Sequence, residues 1–469
     1  MTDWTQRKLH FIAIGGAGMS GLALVCHRLG ARVTGSDRAE SSYLERLRAA
    51  GLEPRIGHAA DAVPPDAEVV VSTAVRDDNP ELARARERGQ PVLHRGELLA
   101  ELCAAKRLIA VAGTHGKTTT AGMLAHAMRG VGADPSFLLG GELPGIGTEG
   151  DPANAGWGRG EWVVAEADES DSSFLRLRPE VAVVTNVELD HHSHWRSRAA
   201  LLEAFGRFCE PARGIALPGD RSLDRLGEGT RVVHFDRDRP GPFLKLRIPG
   251  RHNLLNARAA LAGLELAGVD VERASRALTS FPGMLRRLEL KGRRNGALVY
   301  DDYAHHPTEV MAALEALREL RPRRLIAVFQ PHLYSRTKAL ARQFGPALAQ
   351  ADEVGVLDVY PAREEPVGPL KGVSGLDVAR AVADHASGRP VWWLVDADRA
   401  ERALAPRLAD GDLLVTIGAG DIFKLAEALV DETASRKQQT AGQRTADGIQ
   451  ETARGEERVA SSEQREEAG

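Results

Sequence analysis

The chain is poor in cysteine and in aromatic residues, and neither charge sign dominates. Its three cysteines, Cys26, Cys103 and Cys209, stand far apart, which excludes both a metal knuckle and a redox pair. They read as buried small hydrophobes in a reducing compartment. The net charge is −4 and no basic block occurs, so sequence-independent nucleic-acid binding is disfavoured and no nucleic-acid partner is expected. No apolar stretch approaches the ~18 residues of a spanning helix. The N-terminal MTDWTQRKLHFIAIGG has only a short apolar run broken by glycines, unlike a secretory signal. These absences predict a cytoplasmic protein without membrane insertion. What remains is an ordinary globular balance, 43% hydrophobic and 27% charged. At 469 residues it exceeds what one core can serve, so about two to four domains are expected.

Glycine is plentiful, and its placement is informative. Leu108–Thr120 reads LIAVAGTHGKTTT: an apolar run, then a glycine loop, then a helical segment through Met128. Strand, glycine loop and helix N-terminus together cradle a polyphosphate, because backbone N–H groups approach the oxygens and the helix end adds positive potential. Lys117 can reach the outer phosphates, and the Thr118 hydroxyl can ligate Mg²⁺. The loop is G-T-x-G-K-T-T, with Val111 standing where the full Walker pattern has glycine. The competing reading is an ordinary turn.

A second glycine loop follows Leu9–Ile14. Gly16, Gly18 and Gly21 satisfy G-x-G-x-x-G, and Asp37 stands where a ribose-binding acid would fall. On these residues alone a dinucleotide-binding dehydrogenase is a fair reading. Strands alternating with helices imply parallel, doubly wound α/β sheets. The expected layout is a Rossmann-like domain at 1–105, a central P-loop-type domain at 106–283, a third α/β domain at 284–430, and a tail at 431–469. The tail has no aromatics and few large apolar side chains, so it is expected to be disordered, with a solvated helix as the alternative.

Polar clusters follow the apolar strands, where α/β sheets gather ligands. Glu166 to Asp171 follows Trp162–Ala167, and Asn186 to His192 follows Val181 onward. Thr118, Glu166 and His191 come from three strand ends and could hold a metal. Glu166 suits Mg²⁺ directly, whereas composition leaves His191 evenly balanced between ligand and structural histidine. The acidic run has a solvated loop as its alternative. In the third domain, Asp301, Asp302, Tyr303, His305 and His306 crowd one strand end, which favours a site over turn chemistry around Pro307. Arg286, Arg287 and Arg336 offer guanidinium groups for phosphate or carboxylate, or else surface ion pairs.

Several of these stretches together resemble the Mur ligases: Ile14–Ser20, Gly113–Thr120, Ala165–Asp171, Asn186–His191, Pro249–Asn256, Arg286–Glu289, Asp301–Pro307, Gln330–Thr337 and Thr416–Ile422. They recur in order over residues 8–428. The resemblance implies three domains: one binding a UDP-sugar, one ATPase domain, and a C-terminal Rossmann-like domain. It implies ATP and Mg²⁺ as cofactors, UDP-N-acetylmuramate and L-alanine as small-molecule substrates, and a monomer or weak dimer. The reaction implied is carboxylate activation by ATP followed by attack of an amine.

By the same resemblance, Gly15, Gly16, Ala17, Gly18, Met19, Ser20 and Asp37 are expected to hold the UDP diphosphate, displacing the NAD reading. Gly113, Thr114, His115, Gly116, Lys117, Thr118 and Thr119 are expected on the ATP phosphates. His252, Asn253 and Asn256 match the adenine segment, and Arg287 is expected to reach toward the γ-phosphate. Thr118 and Glu166 are expected at one Mg²⁺ and His191 at a second. Tyr303, His305, His332 and Arg336 are expected around the amino acid and the acyl intermediate, with His305 as the candidate for orienting or deprotonating the amine. The site is expected to be complete only when the third domain closes on the middle one. Three departures stand out. Leu333 replaces an arginine common in relatives, the segment 231–249 looks shortened, and the tail is extended. The open alternatives are a muropeptide-recycling ligase, a nicotinamide-dependent oxidoreductase, and a non-catalytic nucleotide-binding regulator.

Overall fold

A computed structural model describes residues 3–147, 151–188, 195, 197–236, 244–362 and 364–430. The chain divides into two compact units, Met1–Leu285 and Arg286–Gly469. Among the described residues, unit 1 carries two sheets and unit 2 one. His191 and the expected disordered tail lie outside the described residues.

The first sheet is built from β1 (Lys8–Ile12), α1 (Ala17–Arg28), β2 (Arg32–Asp37), α2 (Ser42–Ala49), β3 (Arg55–Ile56), β4 (Glu68–Val71), α3 (Pro80–Glu87), β5 (Val92–His94) and α4 (Arg95–Cys103). Its order is β3-β2-β1-β4-β5, with every pair parallel. The strand order reverses beside β1, so the loop after Ile12 opens at a switch point.

The second sheet comprises β6 (Arg107–Ala112), α5 (Lys117–Gly130), β7 (Ser136–Leu143), β8 (Ala153–Gly156), β9 (Trp162–Glu166), β10 (Val181–Val184), α6 (Arg198–Cys209), β11 (Gly214–Leu217), β12 (Arg231–His234), α7 (Arg251–Leu266) and α8 (Val271–Leu278). Its order is β12-β11-β10-β6-β9-β7-β8. Leu108 to Ala112 is buried throughout, as a central parallel strand covered on both faces must be. β10 and β9 flank β6, so the Gly113 loop, Glu166 and Thr185-Asn186 fall side by side at three adjacent carboxyl ends.

β7, β8, β11 and β12 are weakly marked in sequence. β8 reads Ala-Asn-Ala-Gly, a poor strand by propensity. α1 packs on it: a Cβ at Gly21 would stand 3.1 Å from Ala155 Cβ, and Asn154 Nδ2 donates to Ala17 O and to Ser20 Oγ at 3.2 Å. The third glycine of the fingerprint thus serves a helix that joins the two sheets. One apolar cluster accordingly runs through both, from Phe11, Met19 and Leu22 to Leu138, Phe174 and Phe205. The weakly patterned segment after Glu210 supplies β11 and the edge strand β12.

Unit 2 comprises β13 (Glu289–Arg294), β14 (Ala297–Asp302), α9 (Pro307–Arg318), β15 (Arg324–Phe329), α10 (Tyr334–Leu348), β16 (Glu353–Leu357), α11 (Gly375–Ala383), β17 (Val391–Val395), α12 (Ala397–Leu404), β18 (Asp412–Ile417) and α13 (Phe423–Leu429). The order is β13-β14-β18-β15-β16-β17, parallel except for the β13–β14 pair. The ends of β14, β18 and β15 are therefore neighbours. The α/β class and its three-sheet organisation agree with the sequence reading.

Candidate active site

In unit 1 the Gly113 loop is stapled to the segment after β10. Asn186 grips His115 at both ends: its Oδ1 accepts from His115 N at 3.0 Å, and its Nδ2 donates to His115 O at 2.9 Å. Thr185 Oγ1 donates to His115 O at 2.6 Å. Thr114 Oγ1 donates to Glu188 O and accepts from Glu188 N, each at 2.9 Å. Gly113 and Gly116 sit at φ +137° and +81°, and a Cβ on either would overlap Thr185 Oγ1 or Asn256 Oδ1. Glycine is required here by backbone conformation and by close approach alike. Gly116 caps α5, whose first turn contains Lys117, Thr118 and Thr119.

Lys117 Nζ donates to Gly113 O at 2.6 Å and to the carboxylate of Glu169 at 3.0 Å. Both side chains are nearly enclosed. Burial works to lower the ammonium, but Glu169, Asp168 and Glu166 outweigh it and hold Lys117 above its ordinary value. Burial pushes Glu169 upward. Burial also acts to raise Asp168, yet Lys117 and Arg95 keep it below the usual carboxylate range.

Thr118 Oγ1 donates to Glu166 Oε2 at 2.9 Å, and Gly140 N donates to the same oxygen at 2.9 Å. Two hard oxygen donors face each other beside the Gly113 loop, a donor set that fits Mg²⁺. Among the described residues no cluster of three or more His, Cys, Asp or Glu side chains could hold a metal. Asn253 and Asn256 are buried at the start of α7. Asn253 Nδ2 donates to Pro249 O at 2.7 Å, and Asn256 packs against Gly116, so the expected adenine segment abuts the Gly113 loop. His252 stands on the same first turn, half-buried.

The other glycine loop has a division of labour that the sequence does not show. Asp37 Oδ2 accepts from Gly15 N at 2.8 Å, so this acid braces the loop itself. Met19 is 3% exposed and lies in the core, so it can offer an anion its amide but not its side chain. Ser20 is buried as well, with Oγ on Ala17 O at 3.1 Å. Gly16 caps α1, and its neighbours Ala17 and Gly18 begin the helix whose N-terminus favours an anion.

In unit 2 the expected residues meet. The rings of Tyr303 and His305 lie 5.6 Å apart edge to face, His305 and His332 lie 6.2 Å apart, and His332 stacks on Tyr360 at 5.8 Å. The Arg287 guanidinium lies 5.0 Å from the Tyr303 ring, and Arg336 Nη1 is 3.3 Å from His332 Nδ1. His305 Nδ1 is 3.1 Å from the Tyr303 carbonyl. A proton on Nδ1 satisfies that carbonyl and leaves Nε2 as the basic nitrogen, a tautomer inferred from the hydrogen bond. Burial drives the His305 pKa down to about 4, against the pull of Glu309.

Asp302 braces the loop: its carboxylate accepts from Leu288 N at 2.7 Å and from Ala304 N at 2.8 Å, and burial raises it to about 6. Turn chemistry does claim part of the cluster, because His306 caps α9 in a capping box with Glu309. Arg286 is consumed structurally. It pairs with Asp301 at 3.3 Å, donates to Gly418 O at 2.7 Å, and lies against the Tyr303 and Phe423 rings. Leu333, where an arginine was expected, holds φ +69° and donates its N–H to Tyr360 O at 2.9 Å. Residues that sequence reasoning did not single out are Asn186, Glu169, Glu309 and Tyr360. Each acts by contacting a neighbouring strand end or loop, and residue type alone does not announce that.

Three family models match in order: "Mur ligase family, catalytic domain" over residues 8–107, "Mur ligase middle domain" over 111–219, and "Mur ligase, glutamate ligase domain" over 286–420. The chain is 44% identical over 468 residues to the UDP-N-acetylmuramate–L-alanine ligase of Renibacterium salmoninarum, covering 92% of this chain and 97% of that protein. It is 44% identical over 451 residues to the ligase of the same name from Rubrobacter xylanophilus, covering 90% and 99%. Among solved structures, the UDP-N-acetylmuramate-alanine ligase of Thermotoga maritima superposes with a TM-score of 0.76 at 28% identity, over 92% of this chain and 99% of that one. A murein peptide ligase from Psychrobacter arcticus gives a TM-score of 0.65 at 25% identity, over 92% and 98%. With its three α/β sheets, three family models matched in order and relatives matched over nearly their whole length, the chain belongs to the Mur ligase family.

Proposed function

We propose that this protein joins the lactyl carboxylate of UDP-N-acetylmuramate to the amine of L-alanine, converting ATP to ADP and phosphate in peptidoglycan precursor synthesis. Near-complete coverage by ligases of that name supports the reaction, and the paired Lys117 and Thr118–Glu166 groups beside one glycine loop supply its chemistry.

A carboxylate is a poor acyl donor because oxide would have to leave. Its oxygen therefore attacks the γ-phosphorus, ADP departs, and the resulting acyl phosphate carries a good leaving group. The amine nitrogen then attacks the acyl carbon, the tetrahedral intermediate expels phosphate, and one proton leaves the nitrogen. In unit 1, backbone amides from Gly113 to Thr119 and the Lys117 ammonium neutralise the phosphates. Thr118 and Glu166 would hold Mg²⁺, with His191 the expected ligand of a second ion; bound Mg²⁺ would offset phosphate charge. Asn253 and Asn256 face the nucleoside end, and the loop from Gly15 to Ser20 takes the UDP diphosphate. In unit 2, Arg287, Tyr303, His332 and Arg336 surround His305. With Nδ1 committed to the Tyr303 carbonyl, Nε2 accepts the amine proton. A base with a pKa near 4 is a weak proton sink, so its chief effect is orientation of the neutral amine.

The test is ADP release with UDP-N-acetylmuramate across L-alanine, glycine, L-serine and an L-alanine-led tripeptide. Release that depends on both the sugar nucleotide and L-alanine is expected. Release driven by the tripeptide instead would reassign the protein to muropeptide recycling, and NADH binding without ATP turnover would overturn the ligase reading.

A further inference from the structure

Arg95 opens α4 and stands between the first turn of α1 and the acidic segment after β9. Its Nη2 donates to Asp168 Oδ2 at 3.0 Å and to Asp171 Oδ2 at 3.1 Å. Its Nη1 faces the first turn of α1, where a Cβ on Gly18 would stand 3.5 Å from it. The two acids are held in turn by their own loop: Asp168 Oδ1 accepts from Ser170 N and Asp171 Oδ1 from Ser173 N, each at 3.0 Å. Between them stands Glu169, whose carboxylate meets Lys117 and whose carbonyl accepts from Trp195 Nε1 at 3.0 Å. A chain of hydrogen bonds and ion pairs therefore runs from Arg95, whose Nη1 lies beside Gly18, through the segment from Asp168 to Asp171 and Glu169 to Lys117. Arg95 is about one-fifth exposed, Asp168 about one-third and Asp171 less than one-tenth, so solvent screens the Arg95–Asp171 pair least.

We propose that Arg95 is a positioning residue that couples sugar-nucleotide binding at the Gly15–Ser20 loop to ATP binding at the Gly113 loop. This rests on the assignment of those loops under the proposed function. A diphosphate at the start of α1 engages one face of the guanidinium while the other retains Asp168 and Asp171. The bidentate fork permits both at once, which a lysine could not match. Fixing Arg95 fixes the acidic segment, and with it the carboxylate that sets Lys117. Each ligand then binds a better-ordered site when the other is present, and the effect is reciprocal.

Calorimetry of the full chain with a non-hydrolysable ATP analogue and Mg²⁺, with and without saturating UDP-N-acetylmuramate, reads this directly. The sugar nucleotide is expected to tighten the analogue by roughly fivefold or more. In Arg95→Met that factor falls to within twofold of unity, while the analogue alone still binds. Asp168→Asn keeps the acceptor for Ser170 but turns an amide toward Arg95; it should give the same loss if Arg95→Met does not fold. Arg95→Lys should restore only part of the coupling. Absence of coupling in the wild type, or full coupling in both variants, overturns the proposal. Failure of either ligand to bind the wild type overturns the functional reading beneath it, which is a separate outcome.

Discussion

The Lys117 ammonium stands 3.0 Å from the Glu169 carboxylate, with the lysine side chain 13% exposed and the glutamate 2%. Removing one partner leaves the other charge buried and alone. Lys117→Met should therefore destabilise unit 1 by about 3–5 kcal/mol, and Lys117→Met/Glu169→Gln should recover most of that loss. Neither variant should release ADP, because the phosphate charge has lost its cation. Urea unfolding beside an ADP assay checks both halves, and a double variant no more stable than the single one would refute the pair's role.

Asn186 is predicted to matter as much as the glycines it steadies. Asn186→Ala removes both hydrogen bonds to His115 and leaves a half-buried loop amide without its acceptor. ATP affinity should fall about tenfold, with UDP-N-acetylmuramate affinity preserved. Calorimetry with each ligand separately decides the point, and equal weakening of both would indicate general damage.

This residue also marks where sequence reading stops. The Gly113 loop is legible because glycine, lysine and threonine there have few other uses between a buried strand and a helix. Asn186 is not, because its partner lies 71 positions away and meets it only when β10 pairs with β6. Glu169 likewise sits in an acidic run whose competing reading is a solvated loop, and only the buried strand before it weighs against that reading. Asp37, expected to bind the sugar nucleotide, closes β2 and braces Gly15 through its Oδ2. Met19, expected among the same ligand residues, lies in the first turn of α1, where helical periodicity turns its side chain to the core. Residue type reveals the chemistry a strand end can perform, whereas sheet order decides which ends meet.

Glu166 and Thr118 make a prediction about magnesium. Glu166→Gln keeps size and one acceptor oxygen but removes the charge, so the Mg²⁺ concentration for half-maximal ADP release should rise at least about tenfold. Thr118→Val should act in the same direction. A Mg²⁺ titration at saturating ATP measures this, and an unchanged midpoint in both variants would exclude these oxygens as ligands.

Substitution of His305 should separate chemistry from nucleotide binding. His305→Gln removes the imidazole Nε2 from the cluster of Tyr303, His332 and Arg336. Turnover should drop by roughly 10²-fold or more, while affinity for the ATP analogue, read by unit 1, stays within twofold. Unchanged turnover would eliminate both the orienting and the proton-accepting role.

The same substitution has an opposite signature in stability at low pH. Burial holds His305 near 4 in the folded protein against 6.5 for the free side chain. Between those values the unfolded chain binds a proton that the folded chain refuses, so this residue makes stability fall as pH drops from 6.5 toward 4. Asp302 works the other way. Its carboxyl is raised from 3.8 to about 6, so the folded chain holds the extra proton, and stability falls as pH rises through that window. The two contributions partly cancel in the wild type. His305→Gln leaves Asp302 unopposed, so at pH 4.5 the variant should gain about 2–3 kcal/mol relative to its standing at pH 7.5, by urea unfolding against the wild type at each pH. An equal stability difference at the two pH values would mean that His305 titrates normally and is not shielded by Tyr303, His332 and Arg336.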